Sequence, residues 1–162
     1  MADVYFLMEY PIYRDFDAED IEVLSAICGE KQYRDGAEVF SAGSPGDAMY
    51  IIKKGTVKVF IETPTRKKQV ALLSEGEFFG ELALIDGSPR SATVTAGGET
   101  SLIALSNEAY RKLKTQHAAT GFKVTDVLLK YLSQRIRRTT KKAASLIKGR
   151  KKKAPKRKAA KK

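Results

Sequence analysis

A glutamate and an arginine stand in an otherwise largely apolar stretch of the chain, residues 79–94, which reads FGELALIDGSPRSATV. Arg90 carries a planar fork of N–H donors that matches the oxygens of a phosphate, and the hydroxyl of Ser91 follows it directly. Glu81, when ionised, can only accept hydrogen bonds. A ligand that matches both side chains needs an anionic phosphate and a hydroxyl donor a short distance away. A nucleotide's phosphate and ribose 2′-OH meet that description.

A glycine and a short helical turn favour an anion site at the same place. Gly80 permits the backbone to approach a ligand closely, and the residues ELAL that follow can form a helical turn whose free N–H groups point toward an anion. A buried salt bridge between Glu81 and Arg90 is the structural alternative. We favour the ligand, because buried ion pairs are often no more stable than apolar replacements and because such a pair leaves Gly80, Ser91 and the turn DGSPR unexplained.

Histidine and cysteine are too scarce for most catalytic and metal sites. His117 is the only histidine and Cys28 the only cysteine, so one chain cannot assemble a histidine-rich metal site, a multi-cysteine cluster or an internal disulfide framework. The position of His117 beyond the β-region also weighs against a Ser-His-Asp relay. We therefore expect a binding protein, not an enzyme, with no catalytic residues, no metal and no cofactor, in which Cys28 is a buried bystander.

The length of the chain, 162 residues, suits one domain with a full core and some appendages. No run of about 18 apolar residues is present, and the N-terminus lacks the basic-then-apolar order of a secretory signal, so we expect a cytoplasmic protein without a membrane span.

The formal net charge of +11 is unevenly distributed. Residues 1–120 carry 13 Lys/Arg and 18 Asp/Glu, whereas residues 121–162 carry 17 and one, so the basicity belongs to a C-terminal arm.

Turn signals and short apolar runs predict the elements that must position these residues. Asp17 is a candidate N-cap of a short helix, and Ser106 is a candidate N-cap of another. Between Gln32 and about Leu105 the chain consists of short alternating or apolar runs, broken by turns such as SPGD, KKG and AGGE. This is the pattern of an all-β sandwich or barrel. No crossover helix fits between the runs, so the sheets should be antiparallel, with a hairpin tip at ETPTRKK.

A longer helical pattern extends from about Gly121 to Leu146. Its apolar positions repeat at intervals of three and four residues, which is the seam of roughly three heptads. The seam consists of Leu129, Leu132, Ile136, Thr139, Ala143 and Leu146. A contact between two copies of this helix in a homodimer is one interpretation, and packing of the same stripe onto the chain's own β-domain is the other.

The segment from Phe79 to Val94, hereafter the cassette, resembles the phosphate-binding cassette of cyclic nucleotide-binding domains, whose pattern is close to F-G-E-L-(A/S)-L, a short turn and then P-R-(A/S/T)-A-T-V. The resemblance continues backward through EGEFFGE and through FSAGSPGDAMYIIKKGTVKVF, residues 40–60, and covers about residues 16–145. It implies a mainly β fold, an antiparallel, jelly-roll-like β-roll flanked by helices, and a cyclic nucleotide as the ligand.

The same resemblance implies a role for each matching residue. Glu81 would accept a hydrogen bond from the ribose 2′-OH, and Arg90 would clamp the exocyclic phosphate oxygens. Val59 and Val70 would line the pocket for the sugar and base, and Gly80, Leu82 and Ser91 would complete the cradle. The full set of predicted ligand-binding residues is Val59, Val70, Phe79, Gly80, Glu81, Leu82, Ala83, Arg90, Ser91, Ala92, Thr139 and Thr140.

The long helix resembles the dimerising helix of sensor domains of the bacterial cAMP receptor protein type, where a Thr-Ser pair contacts the adenine amino group, one residue from each protomer. Thr139 and Thr140 occupy the corresponding positions. A hydroxyl that faces the base would explain a threonine in the apolar seam, and a tolerated small residue is the alternative. The resemblance implies cAMP, with cGMP as the alternative, and a homodimer. That family continues into a helix-turn-helix domain, which does not follow Leu146 here, so we expect no base-specific reading of DNA in a familiar form.

Four segments follow from these patterns: an N-terminal segment, 1–15; the cyclic nucleotide-binding β-roll, 16–120; the C-terminal helix, 121–147; and a basic tail, 148–162, with ten Lys/Arg in fifteen residues. We expect the tail to be disordered. It can bind nucleic acid without sequence specificity, or merely aid solubility. The leading hypothesis is a stand-alone cyclic nucleotide sensor that signals through the helix and tail. The alternatives are a nucleic-acid-associated protein that uses the tail and a regulatory subunit that docks on a partner protein.

Overall fold

Eight β-strands form two four-stranded antiparallel sheets in the residues that the computed structural model describes, 1–63 and 65–151. The strands are β1 Gly29–Tyr33, β2 Glu38–Phe40, β3 Ala48–Lys54, β4 Thr56–Thr63, β5 Arg66–Ser74, β6 Phe78–Phe79, β7 Thr93–Ala96 and β8 Thr100–Ser106. The first sheet has the order β1-β8-β3-β6 and the second the order β2-β7-β4-β5. The predicted antiparallel β-roll with flanking helices is confirmed.

Alternation along β8 shows why the first sheet is buried on both faces. Leu102 and Ala104 belong to the core between the two sheets, whereas Ile103 and Leu105 belong to the core under the helices. Successive side chains of a strand point to opposite faces, so an unbroken apolar run supplies both cores at once. The first sheet is therefore the central layer, with the second sheet on one side and the helices on the other.

In the described part of the chain, four α-helices accompany the sheets: α1 Ala18–Ile27, α2 Glu81–Asp86, α3 Asn107–Gln116 and α4 Ala118–Lys151. Asp17 caps α1 as predicted and forms a capping box with Asp20, in which each carboxylate accepts a 3.0 Å hydrogen bond from the other residue's backbone N–H. Ser106 caps α3 as predicted, because its hydroxyl oxygen accepts a hydrogen bond from the N–H of Ala109 at 3.1 Å. Both helix starts are set by local cap chemistry.

The long helix α4 begins at Ala118, three residues before its predicted start. Gly121, taken from the sequence as the boundary, lies inside the first turns of the helix. A Cβ at Gly121 would come within 3.1 Å of the Cα of Lys114. The glycine therefore permits α3 and α4 to pack closely and does not mark a helix end.

A buried polar network joins α1 to the first turn of α4. Asp20 is almost fully buried, accepts a 2.6 Å hydrogen bond from the Thr120 hydroxyl and pairs with the ammonium of Lys123. A buried carboxylate is costly unless it is both hydrogen-bonded and paired. The network therefore fixes the N-terminal end of α4 against the domain.

The helix α4 has one face in the core and a different apolar face in solvent. Val124, Val127 and Leu128 are buried, whereas Leu129 and Ile136 are 59% and 65% exposed. Leu129 and Ile136 belong to the predicted heptad seam, and they do not pack onto the chain's own β-domain. For these two residues, packing of the seam onto the chain's own β-domain is therefore wrong. Contact with a second copy of the helix in a homodimer stays a prediction.

The helix α4 crosses two of the predicted segment boundaries, the one after residue 120 and the one after residue 147. The backbone of α4 is helical to Lys151, past the predicted end at residue 147. The rest of the predicted basic tail, residues 152–162, lies outside the described residues. At the other end, Val4 and Leu7 of the N-terminal segment are buried in the core under the helices. No helix in the described part of the chain is long and apolar enough to cross a membrane.

Candidate functional site

A short strand, a left-handed glycine and one short helix build the cassette. β6 ends at Phe79, Gly80 has a φ of +78°, and α2 begins at Glu81. A Cβ at Gly80 would come within 2.6 Å of the Nη1 atom of Arg90, so both the backbone angle and the space require glycine. The helix ends at a second left-handed glycine, Gly87, with a φ of +69°. The predicted helical turn after Gly80 is confirmed.

The guanidinium of Arg90 is buried and held by the backbone of β3 and of the cassette. The residue is 4% exposed. Nη1 donates to the carbonyl of Gly80 at 3.0 Å, and Nη2 donates to the carbonyl of Ala48 at 2.7 Å and to a carboxylate oxygen of Asp47 at 3.2 Å. Its Cζ lies 4.1 Å from the centre of the Phe40 ring. Nε has no hydrogen-bond partner among the described residues, so one donor of the fork is unsatisfied.

The carboxylate of Glu81 pairs with α4 and not with Arg90. Glu81 is 1% exposed, and Nη1 of Arg135 donates to its Oε1 at 2.8 Å. Within residues 1–63 and 65–145, Glu81 and Arg90 form no ion pair with each other, so the salt-bridge alternative is wrong. The contact with Arg135 neutralises a buried carboxylate and connects the cassette to the middle of α4.

Nine of the twelve predicted binding residues line one small pocket between the cassette and the second sheet. They are Val59, Phe79, Gly80, Glu81, Leu82, Ala83, Arg90, Ser91 and Ala92. The volume of the pocket is about 40 Å³. That is room for only a few water molecules, so the pocket is nearly closed in this conformation.

Two larger cavities adjoin this pocket on the side of α4. Thr139 and Thr140 line the first, of about 400 Å³, together with Glu81. Val70 lines the second, of about 390 Å³, together with Thr139. Val70 is the extra residue of a β-bulge in β5 and is 41% exposed, so it lies outside the pocket that contains Val59.

Arg135 lies at the junction of the pocket and both cavities, because it lines all three. Its side chain is 42% exposed. Three residues of this region, Arg135, Asp47 and Phe40, are not among those predicted from the sequence. Arg135 precedes Thr139 by four residues, and helical residues at that spacing share a face. Asp47 and Phe40 lie inside residues 40–60, a stretch that carried the family resemblance.

Tyr131 holds α4 beside the start of the cassette, one helical turn before Arg135. The centres of the Tyr131 and Phe78 rings lie 4.1 Å apart. Burial, with a smaller contribution from the charge of Glu77, raises the pKa of Tyr131 to about 12, so its hydroxyl stays protonated at neutral pH. The middle of α4 is therefore attached to the domain by an aromatic contact and an ion pair.

The arrangement suits a small ligand that is both an anion and a hydroxyl donor. A buried guanidinium with an unsatisfied donor and a buried carboxylate line the same pocket. Among the described residues, no group of histidine, cysteine, aspartate and glutamate side chains is placed to hold a metal ion. The chemistry available at this pocket is charge-assisted hydrogen bonding.

The family model described as cyclic nucleotide-binding domain matches residues 30–117, which is 88 of the 162 residues. The chain therefore belongs to the cyclic nucleotide-binding domain family. This confirms the resemblance of the cassette and of the preceding strands.

Proteins of two kinds are similar to this chain. A cAMP-dependent protein kinase regulatory subunit of Mucor circinelloides is 34% identical over 109 residues, which are 67% of this chain and 26% of the relative. The CRP-like cAMP-activated global transcriptional regulator of Mycobacterium tuberculosis is 28% identical over 137 residues, 84% of this chain and 59% of the relative. The crystal structure of the catabolite activator protein of Thermus thermophilus aligns with a TM-score of 0.74 at 28% identity, over 85% of this chain and 63% of that one. The chain spans about a quarter to three fifths of the length of these relatives.

Proposed function

We propose that the chain is a cyclic nucleotide sensor, without catalytic activity, that binds cAMP at the cassette and signals through α4. The observation that carries this proposal is that two buried side chains of opposite charge, Glu81 and Arg90, line one pocket without pairing with each other. The names of the Mucor circinelloides and Mycobacterium tuberculosis relatives both include cAMP, which supports this ligand.

Arg90 binds the cyclic phosphate. Its Nε is buried without a partner among the described residues, and leaving a buried donor unsatisfied costs about 1–3 kcal/mol. An exocyclic phosphate oxygen at Nε removes that penalty with a charge-assisted hydrogen bond. Ser91 and Ala92 line the same pocket, one adding a hydroxyl and the other leaving room for the phosphate.

Glu81 accepts the ribose 2′-OH. A carboxylate has two oxygens and about four lone-pair positions. Arg135 donates to Oε1 of Glu81, so lone-pair positions of the carboxylate remain for the hydroxyl. Because an ionised carboxylate only accepts, a ligand without the 2′-OH leaves this interaction unmade.

The base occupies the larger cavities beside α4. The pocket of about 40 Å³ cannot hold a whole nucleotide, whereas the cavities of about 400 and 390 Å³ have the size of ordinary ligand sites. The Thr139 hydroxyl donates its proton to the carbonyl of Arg135 at 2.9 Å. Its oxygen therefore faces the ligand as an acceptor, which suits the exocyclic amino donor of adenine better than the carbonyl acceptor of guanine. Thr140 adds a second hydroxyl, and Val59 and Val70 contact the sugar and base from the β-roll.

Ligand entry must change the position of Arg135, because the pocket of about 40 Å³ is too small for the ligand and this side chain bounds it on the side of α4. A shift of Arg135 moves the helix that carries it. The exposed seam residues Leu129 and Ile136 suit contact with a second copy of the same helix, as in a homodimer. The ligand thereby changes how two copies of α4 and the basic residues after it are presented.

Calorimetric titration of the full chain tests this proposal, with cAMP, cGMP and 2′-deoxy-cAMP as ligands. We expect cAMP to bind more tightly than cGMP and than 2′-deoxy-cAMP. Arg90→Lys keeps a positive charge but loses the planar fork, and should weaken cAMP binding about 10- to 100-fold. Arg111→Lys, on the exposed face of α3, is the matched control and should bind as the wild type does. Absence of binding to both cAMP and cGMP would overturn the proposed function.

A further inference from the structure

The second half of α4 is basic without interruption. Asp126 is the last acidic residue of the sequence, and residues 127–162 carry 16 Lys/Arg. The helical backbone is described to Lys151, so nine of these sixteen belong to α4. Charge of one sign is therefore present along the helix and is not confined to the residues after it.

The basic residues of α4 divide into a paired group and a group without ion pairs. Lys123 pairs with Asp20, Lys130 pairs with Asp15 and Asp126, and Arg135 pairs with Glu81. The four that follow are all exposed, and within residues 1–63 and 65–145 none of them forms an ion pair. These four, hereafter the basic face, are Arg137, Arg138, Lys141 and Lys142. The paired group holds the helix to the domain. The basic face forms no ion pair with the domain within residues 1–63 and 65–145, although Arg138 and Lys142 line the cavity of about 390 Å³ beside Val70.

The basic face points away from the apolar seam. At about 100° per residue, the midpoint between Arg138 and Lys141 lies about 170° around the helix from Ile136. On the helix itself the neighbours of the basic face on that side are Gln134 and Ser145, so no apolar side chain of α4 interrupts it between residues 134 and 145. Apolar residues of β5, among them Val70 and Leu72, line the cavity beside Arg138 and Lys142. An amphipathic helix that binds a bilayer needs apolar side chains beside its basic ones. This face lacks them, which favours a hydrated polyanion over a membrane surface.

We propose that the basic face of α4 binds the phosphate backbone of double-stranded nucleic acid. Four positive charges within six residues span roughly 8 Å of helix, at 1.5 Å per residue. Duplex DNA carries about one negative charge per 1.7 Å of its axis, a density that matches such a cluster better than scattered carboxylates do. Binding through phosphates is independent of sequence and sensitive to salt. The seam on the opposite side remains free for a second helix, so the same α4 can self-associate and bind nucleic acid.

Fluorescence anisotropy with a labelled 30-base-pair duplex of arbitrary sequence tests this inference, using the full chain without cyclic nucleotide. The variant neutralises the basic face: Arg137→Gln, Arg138→Gln, Lys141→Gln and Lys142→Gln. We expect its affinity at about 0.15 M salt to fall roughly 10²- to 10³-fold, and the slope of log K against log salt to fall by about 3 to 4. Circular dichroism and thermal unfolding verify that the variant is folded.

A second variant with the same change in net charge separates the effect of the basic face from the effect of the total charge of the protein. It neutralises four exposed residues of the β-roll and α3: Arg34→Gln, Lys54→Gln, Lys68→Gln and Arg111→Gln. We expect this control to bind the duplex within a few-fold of the wild type. Equal losses in both variants, or an unchanged affinity in the basic-face variant, would overturn the inference.

A comparison of partners decides between nucleic acid and membrane. Vesicles that contain 30% phosphatidylserine are sedimented with the wild type under the same salt conditions. We expect the protein to remain in the supernatant. Sedimentation with the vesicles that is lost in the basic-face variant would assign the face to a membrane surface and overturn the proposal. Because no cyclic nucleotide is present in these experiments, their result does not depend on the proposed function.

Discussion

Glu81 in the cassette and Arg135 in the middle of α4 are joined across 54 residues of sequence by a 2.8 Å hydrogen bond. The carboxylate is 1% exposed and the arginine side chain 42% exposed, so the pair lies at the boundary between the core and solvent. The same arginine lines the small pocket and both adjoining cavities. One side chain of α4 therefore contacts the cassette carboxylate and lines the pocket and both cavities.

Removal of Arg135 should destabilise the ligand-free protein. In Arg135→Ala the buried Glu81 carboxylate loses its cationic partner, which we expect to lower the free energy of unfolding by about 1–3 kcal/mol. Chemical denaturation without ligand measures this change. The combination with Glu81→Gln completes a double-mutant cycle, in which the two changes should cost less together than their sum. Additive losses would contradict an energetic role for the pair.

Replacement of Gly80 should cost both stability and ligand binding. In Gly80→Ala the Cβ enters a backbone conformation at φ +78° and comes within 2.6 Å of Nη1 of Arg90, so Arg90 must leave its position. Gly87→Ala is the matched control, because Gly87 has a φ of +69° but no atom within 4 Å of the added Cβ. Both variants should lose about 1–2 kcal/mol of stability from backbone strain. Calorimetry should find weakened cAMP binding in Gly80→Ala alone.

Acid should weaken the side-chain contacts that join β1 to β8 and β3 within the first sheet. The Ser101 hydroxyl, which donates to Glu30 at 2.8 Å, and the nearby Lys53 hold the pKa of Glu30 below its usual value. A carboxyl with a lowered pKa in the folded state stabilises the protein above the pKa of the unfolded chain, and this contribution is lost as the pH falls through the folded-state pKa. Glu30→Gln should therefore lower the melting temperature at pH 7 and have less effect below about pH 4. A difference that stays constant from pH 7 to pH 3 would contradict this assignment.

The only thiol should be inert in the folded protein. Cys28 is half-buried and not fully buried as predicted, and desolvation by its surroundings raises its pKa to about 12. This reduces its thiolate fraction at pH 8 about a thousand-fold relative to an ordinary cysteine. Reaction with a chromogenic disulfide at pH 8 should be correspondingly slow in buffer and fast in denaturant. Rapid labelling of the native protein would show that the segment around Cys28 opens readily.

The elements that the sequence predicted well are those whose signals are local. Asp17 and Ser106 cap their helices because a cap needs only the residues of the first turn. The turn at Gly80 follows from a contiguous motif. In contrast, the start of α4 was placed too late, because Gly121 was taken as a boundary when it is a packing position against α3.

The parts of the candidate site that the sequence analysis did not resolve depend on tertiary packing. Val59 and Val70 lie on paired strands. Val70 is the extra residue of the bulge in β5, however, and it therefore does not line the pocket that contains Val59. The sequence offered Arg90 as an ion-pair partner of Glu81 only as the alternative to a ligand, and it gave no sign that the fold supplies Arg135. Alternation and spacing predict faces, but a bulge or a long-range ion pair requires the relative positions of whole elements.

The contact between Asp20 and Thr120 anchors α4 near its N-terminal end, and the rest of the helix extends from that anchor in one direction. At 1.5 Å per residue, Arg135 lies about 22 Å along the helix from Thr120, and Lys151 lies about 46 Å from it. If the helix pivots rigidly at that anchor, a displacement at Arg135 is about doubled at Lys151. An adjustment of one ångström at the pocket would then reach the basic end of the helix as a movement of about two.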